Sequence, residues 1–214
     1  MDQVDAVGDP RGPAVMASMW WESFTDVVPP WFARYLTLER TASLIRTYEV
    51  QFLPGLFQTA DYARAVIGSA YDDPVAVDRR IDLRQARQRL LDQADPPEIQ
   101  AVIVESALTQ LPMTPSQRRA QLDRLIALAD RPNISIVIVP STLAANMTGP
   151  SFTILSFTDP ALADVAYVEE ADNARYLVEP IDVAHYGQLL ADVSMPERST
   201  DEARSTLRRL RDRV

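Results

Sequence analysis

The stretch EIQAVIVESALTQLPMTPSQRRAQLDRLIALADRPNISIVIVP, residues 98–140, sets two apolar runs on either side of an amphipathic segment. Ile99 to Val104 and Ile134 to Val139 are apolar on nearly every position, the pattern of strands buried on both faces. Between them Thr114, Pro115 and Gln117 occupy the N-cap, N1 and N3 positions of a capping box. Leu122, Leu125, Ile126 and Ala129 then follow at helical spacing. Strand, helix and strand in this order predict a βαβ unit with parallel strands at the centre of the core.

Working toward the N-terminus, LPGLFQTADYARAVIG (53–68) turns at Pro54-Gly55 and enters a helix capped by Thr59. A longer helix starts at Asp73-Pro74, with Val77, Ile81, Leu90 and Leu91 as its apolar stripe beside Arg80, Arg84 and Arg87. SLIRTYEV (43–50) alternates as a strand, with Leu44, Arg46 and Tyr48 on one face and Ile45 and Thr47 on the other. PPWFARYLTLERTA (29–42) begins a short helix behind a proline pair. Residues 1–18 lack periodicity and read as a flexible leader, so 19–214 form a single domain.

Toward the C-terminus the period changes. SFTILSF (151–157), DVAYVEE (164–170) and ARYLVE (174–179) are short strands of an antiparallel meander. Asp182 is expected to cap a helix carrying Val183, Tyr186, Leu189 and Leu190. Ser199 with Glu202 forms a second capping box before the final, arginine-rich helix. The expected class is α+β, or mixed α/β: a mixed sheet with a central βαβ unit and an antiparallel meander, flanked by several helices.

Composition narrows the chemistry. The 214 residues include no cysteine, which excludes disulfides, thiolate metal sites and cysteine nucleophiles and makes a reducing cytoplasm the expected location. No apolar run is long enough to span a membrane. All 21 basic residues are arginine, which excludes lysine Schiff bases and the P-loop lysine. A net charge of −9 opposes nonspecific attraction to nucleic acid or anionic membranes. Glycine-rich phosphate loops and the common hydrolase and zinc motifs do not occur, so neither a cofactor nor a metal is expected. His185, the single histidine, is assigned a structural or surface role, since no triad or metal partner lies near it in sequence.

Carboxylates carry the remaining chemistry. Glu49, Glu105 and Glu169 stand at or near strand ends, with Arg46 and Tyr48 two positions apart on one strand face, and the set is expected to converge on one pocket. A carboxylate in apolar surroundings would have a raised pKa and serve as an acid or base. Arg46 paired with a glutamate would instead fix strand order. The arginines at 79, 80, 84, 87 and 89 are interleaved with Asp78, Asp82 and Asp92, which predicts ion pairs within the helix. Trp20, Trp21 and Trp31 are expected to fold back over one face of the domain, or else to serve as a dimer contact or pocket lid.

From Trp20 to the last helix the chain resembles DUF5753, the Scr1-like C-terminal domain of actinobacterial Xre-family helix-turn-helix regulators. The resemblance is carried by WWESFTDVVPPWFARYLTLERTASLIRTYEVQFLPGLFQTADYARAVI, VESAL, GPSFTILSF and VAYVEE, and most specifically by Arg46 through Arg64. It implies an effector domain that follows a DNA-binding head and receives a small-molecule signal or a small DUF397-type partner protein. It marks Arg46, Tyr48, Glu49, Gln58, Glu105, Tyr167 and Glu169 as binding or structural positions. Thr109, Gln110, Ala145 and Asn146 depart from the family pattern beside strand ends, and Asn146 joins the candidate ligand-binding set. No helix-turn-helix precedes Trp20, so direct DNA binding is not expected, while a homodimer is compatible with the aromatic segment. Two functions stand: a ligand- or partner-binding effector domain of transcriptional regulation, and a cofactor-independent enzyme of secondary metabolism. The second would cyclise or isomerise a small molecule, with Glu105 and Glu169 as its catalytic carboxylates.

Overall fold

The computed structural model describes residues 20–110, 112–144, 149–170, 173–194 and 199–214. Six strands form one sheet in the order β3-β2-β1-β4-β5-β6. These are β1 (Leu44–Glu49), β2 (Glu98–Val104), β3 (Ile134–Val139), β4 (Phe152–Ser156), β5 (Val165–Glu169) and β6 (Ala174–Leu177). The pairs β1–β2 and β2–β3 are parallel, whereas β1–β4, β4–β5 and β5–β6 are antiparallel. The fold is therefore α+β, with a mixed sheet whose parallel half is the βαβ unit and whose antiparallel half is the meander.

The principal helices are α1 (Pro30–Thr41), α2 (Ala60–Gly68), α3 (Pro74–Gln88), α4 (Pro115–Ala129), α5 (Pro180–Ser194) and α6 (Thr200–Arg211). Their starts follow from local chemistry. Thr59 accepts from the Tyr62 backbone N–H, and Asp73 from that of Val75. At α4 Thr114 and Gln117 complete the reciprocal capping box. Two expected starts differ in detail. Helix α5 begins at Pro180, because proline is preorganised for the first helical position, and Asp182 lies within the first turn instead of capping it. At α6 Ser199 accepts from the Glu202 N–H, which is one half of the expected capping box and satisfies one orphan donor; the reciprocal bond from the Ser199 N–H to the Glu202 carboxylate does not form.

Strand alternation assigns the two sheet faces. Tyr48, Val102, Phe152, Ile154 and Val168 face α5 and pack with Leu190 and Val193. Ile45, Ala101, Ile103, Leu155 and Tyr167 face the other way, into the larger core shared with α1, α4 and α6. Along that second face one register runs across the sheet: Ile136, Ala101, Thr47, Thr153, Tyr167 and Tyr176. It is apolar over β3 and β2 and polar from β1 to β6. Thr47, Thr153 and Tyr167 of the polar half floor a cavity on this face.

The tryptophan segment divides. Trp20 and Trp21 pack with Phe24 against Val27, Val28, Leu36 and Leu83 in a small core of their own. Trp21 donates from Nε1 to Thr37 Oγ1 at 3.1 Å. Trp31 packs on the main core and borders the cavity.

Candidate functional site

A cavity of about 640 Å³ opens beyond the carboxyl ends of β1 and β5. Its size is that of pockets which enclose small organic molecules. The floor is polar. Thr47 and Thr153, both buried, share a hydrogen bond at 3.1 Å, and Thr47 Oγ1 is also 3.0 Å from Glu49 Oε1. Continuing the strand register, Glu49 and Glu169 stand on either side of Ser151. The Tyr167 hydroxyl donates to Glu169 at 3.3 Å.

One wall is the segment Gln51–Gln58. A buried loop must satisfy its backbone carbonyls, and here side chains from two helices do so. Gln88 donates to the carbonyls of Gly55 and Gln58, at 3.0 and 2.7 Å. Gln121 and Arg124 both donate to the Phe57 carbonyl, at 3.0 and 3.1 Å. Tyr62 closes the arrangement, accepting from Leu53 N–H and donating to the Ala107 carbonyl, each at 3.0 Å. Gln58 is buried, and its amide donates to the Leu53 carbonyl at 2.7 Å.

The adjoining wall is one face of α3, where Arg80, Arg84 and Arg87 recur at helical spacing. Arg87 meets Glu39 of α1 through two hydrogen bonds, at 2.9 and 2.7 Å, with both side chains buried. Burial alone would lower the Arg87 pKa, but the Glu39 carboxylate outweighs it and holds the guanidinium charged above its ordinary value. Arg84 donates to Gln58 Oε1 at 2.5 Å, a neutral acceptor. Burial, aided by the neighbouring Arg87 charge, brings Arg84 down to about 10. Arg80 lies 3.8 Å from the centre of the Tyr71 ring. Aromatic rings complete the enclosure: Phe32 stacks on Tyr35 at 5.3 Å, and Tyr35 meets Tyr167 at 4.4 Å.

Burial raises Glu49 to about 7, and the nearby Glu169 charge adds to the shift against hydrogen bonds that oppose it. Glu49 thus exchanges a proton near neutrality while facing the cavity. Tyr167 is raised by burial and by Glu169, so its hydroxyl stays a neutral donor.

Of the residues singled out in the sequence, Glu49, Gln58, Tyr167 and Glu169 border this cavity. Arg46, Tyr48 and Glu105 do not. Arg46 and Tyr48 occupy the alternate strand positions and face α5; the Tyr48 ring packs at 5.7 Å on Phe152. No Arg46–glutamate ion pair forms among the described residues, and Arg46 Nε and the Tyr48 hydroxyl are buried there without a hydrogen-bond partner. Glu105 opens a short 3₁₀ turn after β2, which takes it away from the site. Asn146 lies outside the described residues. His185 is exposed on α5. The expected ion pairs within α3 are replaced by contacts between elements: Arg79 with Asp26, Arg64 with Asp78 and Arg87 with Glu39. Sequence reasoning therefore missed Glu39, Arg84 and Arg87. The one available signal was the spacing of Arg80, Arg84 and Arg87 along a single helix face.

A family model described as a domain of unknown function, DUF5753, matches residues 32–209. The chain belongs to the DUF5753 family. No curated protein and no solved structure matches it. In this DUF5753 chain the stretch Arg46–Arg64 builds one strand of the cavity floor, the Gln51–Gln58 wall and the capped start of α2. Among the described residues no group of three or more His, Asp or Glu side chains is placed to hold a metal ion. No helix among them is long and apolar enough to cross a membrane.

Proposed function

We propose that this DUF5753 domain is a ligand-binding effector module, and that its ligand is a small molecule held in the cavity between the sheet and α3. The observation that carries the proposal is the cavity itself: about 640 Å³, bordered by aromatic rings, with Glu49, Glu169 and Arg84 facing it. Enclosed apolar walls with a few convergent polar groups are the usual form of a small-molecule site. The resemblance to effector domains of Xre-type regulators supports a signal-receiving role in the cytoplasm. In that setting, occupancy of the cavity passes to a partner such as a DUF397-type protein or a second copy of the chain.

Nile red, a neutral apolar dye, tests this reading. The native protein should bind one equivalent with a blue-shifted emission. Ala70→Trp, at the cavity rim, should remove that binding while circular dichroism and the melting temperature stay unchanged. Equal dye binding by the folded variant would refute a receptor role for the cavity.

A second reading has one specific observation in its favour. Glu49, titrating near 7 beside Glu169 and the Tyr167 hydroxyl, has the proton affinity of a general acid or base. On that reading the domain is a cofactor-independent cyclase or isomerase, with Glu49 in the role that the sequence suggested for Glu105. Glu49→Gln tests this reading: turnover of a bound substrate should fall while the fold and Nile red binding persist, and unchanged turnover would remove Glu49 as acid or base.

A further inference from the structure

The charges around the cavity do not pair across it. Arg80, Arg84 and Arg87 project from α3, Glu39 from α1, and Glu49 and Glu169 from strand ends. Only Arg87 and Glu39 close into an ion pair, and that pair cancels itself within the wall. Arg84 spends its short hydrogen bond on the neutral Gln58, and Arg80 bonds the Ala76 carbonyl at 3.3 Å and stacks on Tyr71. Glu49 takes a hydrogen bond from Thr47, and Glu169 takes one from Tyr167. None of the four possible guanidinium–carboxylate pairs among Arg80, Arg84, Glu49 and Glu169 comes within 4.0 Å. Yet Arg84 lies in the electrostatic field of both Glu49 and Glu169.

Charges of opposite sign that face one cavity with only neutral partners are costly to the free protein, most of all for Glu49 and Arg84, which are partly stripped of water. A neutral ligand can bind against the rings but leaves both sets of charges without a partner of opposite sign. A ligand with a single charge would satisfy one wall and strand the other. A ligand with both charges satisfies both, and its remaining body meets Trp31, Phe32 and Phe52, whose rings favour an apolar or aromatic group. Resting on the receptor reading above, we infer that the cavity takes a zwitterion of the hydrophobic amino-acid class. Its ammonium group lies toward Glu49 and Glu169, its carboxylate toward Arg84, and its apolar side chain among the rings.

The test uses three compounds that share one phenyl body: phenylalanine, phenethylamine and 3-phenylpropanoate. Calorimetric titration of the whole chain should show phenylalanine binding at least about tenfold more tightly than either singly charged compound, a difference set by one added charged contact. Arg84→Gln should weaken phenylalanine and 3-phenylpropanoate about tenfold and leave phenethylamine unchanged. Glu169→Gln should weaken phenylalanine and phenethylamine and spare 3-phenylpropanoate. Both variants are checked for folding by thermal melting, and Gln58→Leu, which frees the Arg84 guanidinium, gives a second route should Arg84→Gln not fold; it should strengthen binding of the carboxylate compounds. Equal affinity for phenylalanine and either singly charged compound would overturn the inference. So would failure of all three to bind at about 10 mM while Nile red still binds, and this result would leave the receptor reading standing. Failure of the dye as well would overturn both.

Discussion

Arg87 grips Glu39 through two hydrogen bonds between α3 and α1, Nε to Oε2 at 2.9 Å and Nη2 to Oε1 at 2.7 Å. The guanidinium also lies 5.2 Å from the Phe32 ring centre and 5.6 Å from that of Tyr35. Both charges have left water, so each depends on the other. Removing one partner by Glu39→Gln or Arg87→Met should destabilise the domain by about 3–5 kcal/mol in urea denaturation. The double variant Glu39→Met/Arg87→Met should cost clearly less than the sum, since it strands no charge. Additive losses would show that the two side chains act independently.

Gly55 sits against the same guanidinium. A Cβ built at this position would lie 3.0 Å from Arg87 Nη1, and Arg87 is held by its two bonds to Glu39. Gly55→Ala should therefore cost about 1–3 kcal/mol, the usual effect of overpacking. The cost should fall in an Arg87→Met background, where the neighbouring side chain is uncharged and free to shift. Chemical denaturation of the four proteins measures the coupling.

The Tyr62 hydroxyl ties the cavity wall at Leu53 to the turn after β2 at Ala107. Tyr62→Phe leaves the Leu53 N–H and the Ala107 carbonyl without this partner in a buried setting. A loss of about 1–3 kcal/mol is expected. Hydrogen exchange should accelerate first in residues 51–58, and unchanged protection there would show that the loop is held by the glutamine contacts alone.

Glu49 makes stability depend on pH in a defined direction. Its folded pKa, about 7, is above the ordinary 4.5, so the folded state binds the proton more tightly than the unfolded state. That contribution is fully present below about 4.5 and is lost as pH rises through about 7. Glu49→Gln, which cannot ionise, should match the parent near pH 4 and exceed it by roughly 1–3 kcal/mol at pH 8. Parallel urea titrations at the two pH values check it. A variant advantage that is the same at both would assign the effect to packing.

The sequence by itself determined the elements and their kind. Apolar runs flanking a capped amphipathic helix specify the parallel core, because buried strands and capped helices leave local signatures in spacing and composition. Alternation along β1 also separates Arg46 and Tyr48 from Thr47 and Glu49, a distinction of faces that needs no coordinates. It does not say which helix covers which face. That was decided by pairings between distant residues: Thr47 with Thr153 across β1 and β4, Glu39 with Arg87 across two helices, Arg84 with Gln58. The arginines of α3 had acidic neighbours within their own helix, and the fold drew them to other elements instead. Burial removes water and makes a partner obligatory, whereas an exposed pair within a helix contributes only a few tenths of a kcal/mol. Which carboxylates meet in the cavity thus followed from tertiary packing, and Glu105, one residue past the end of β2, was turned away by it.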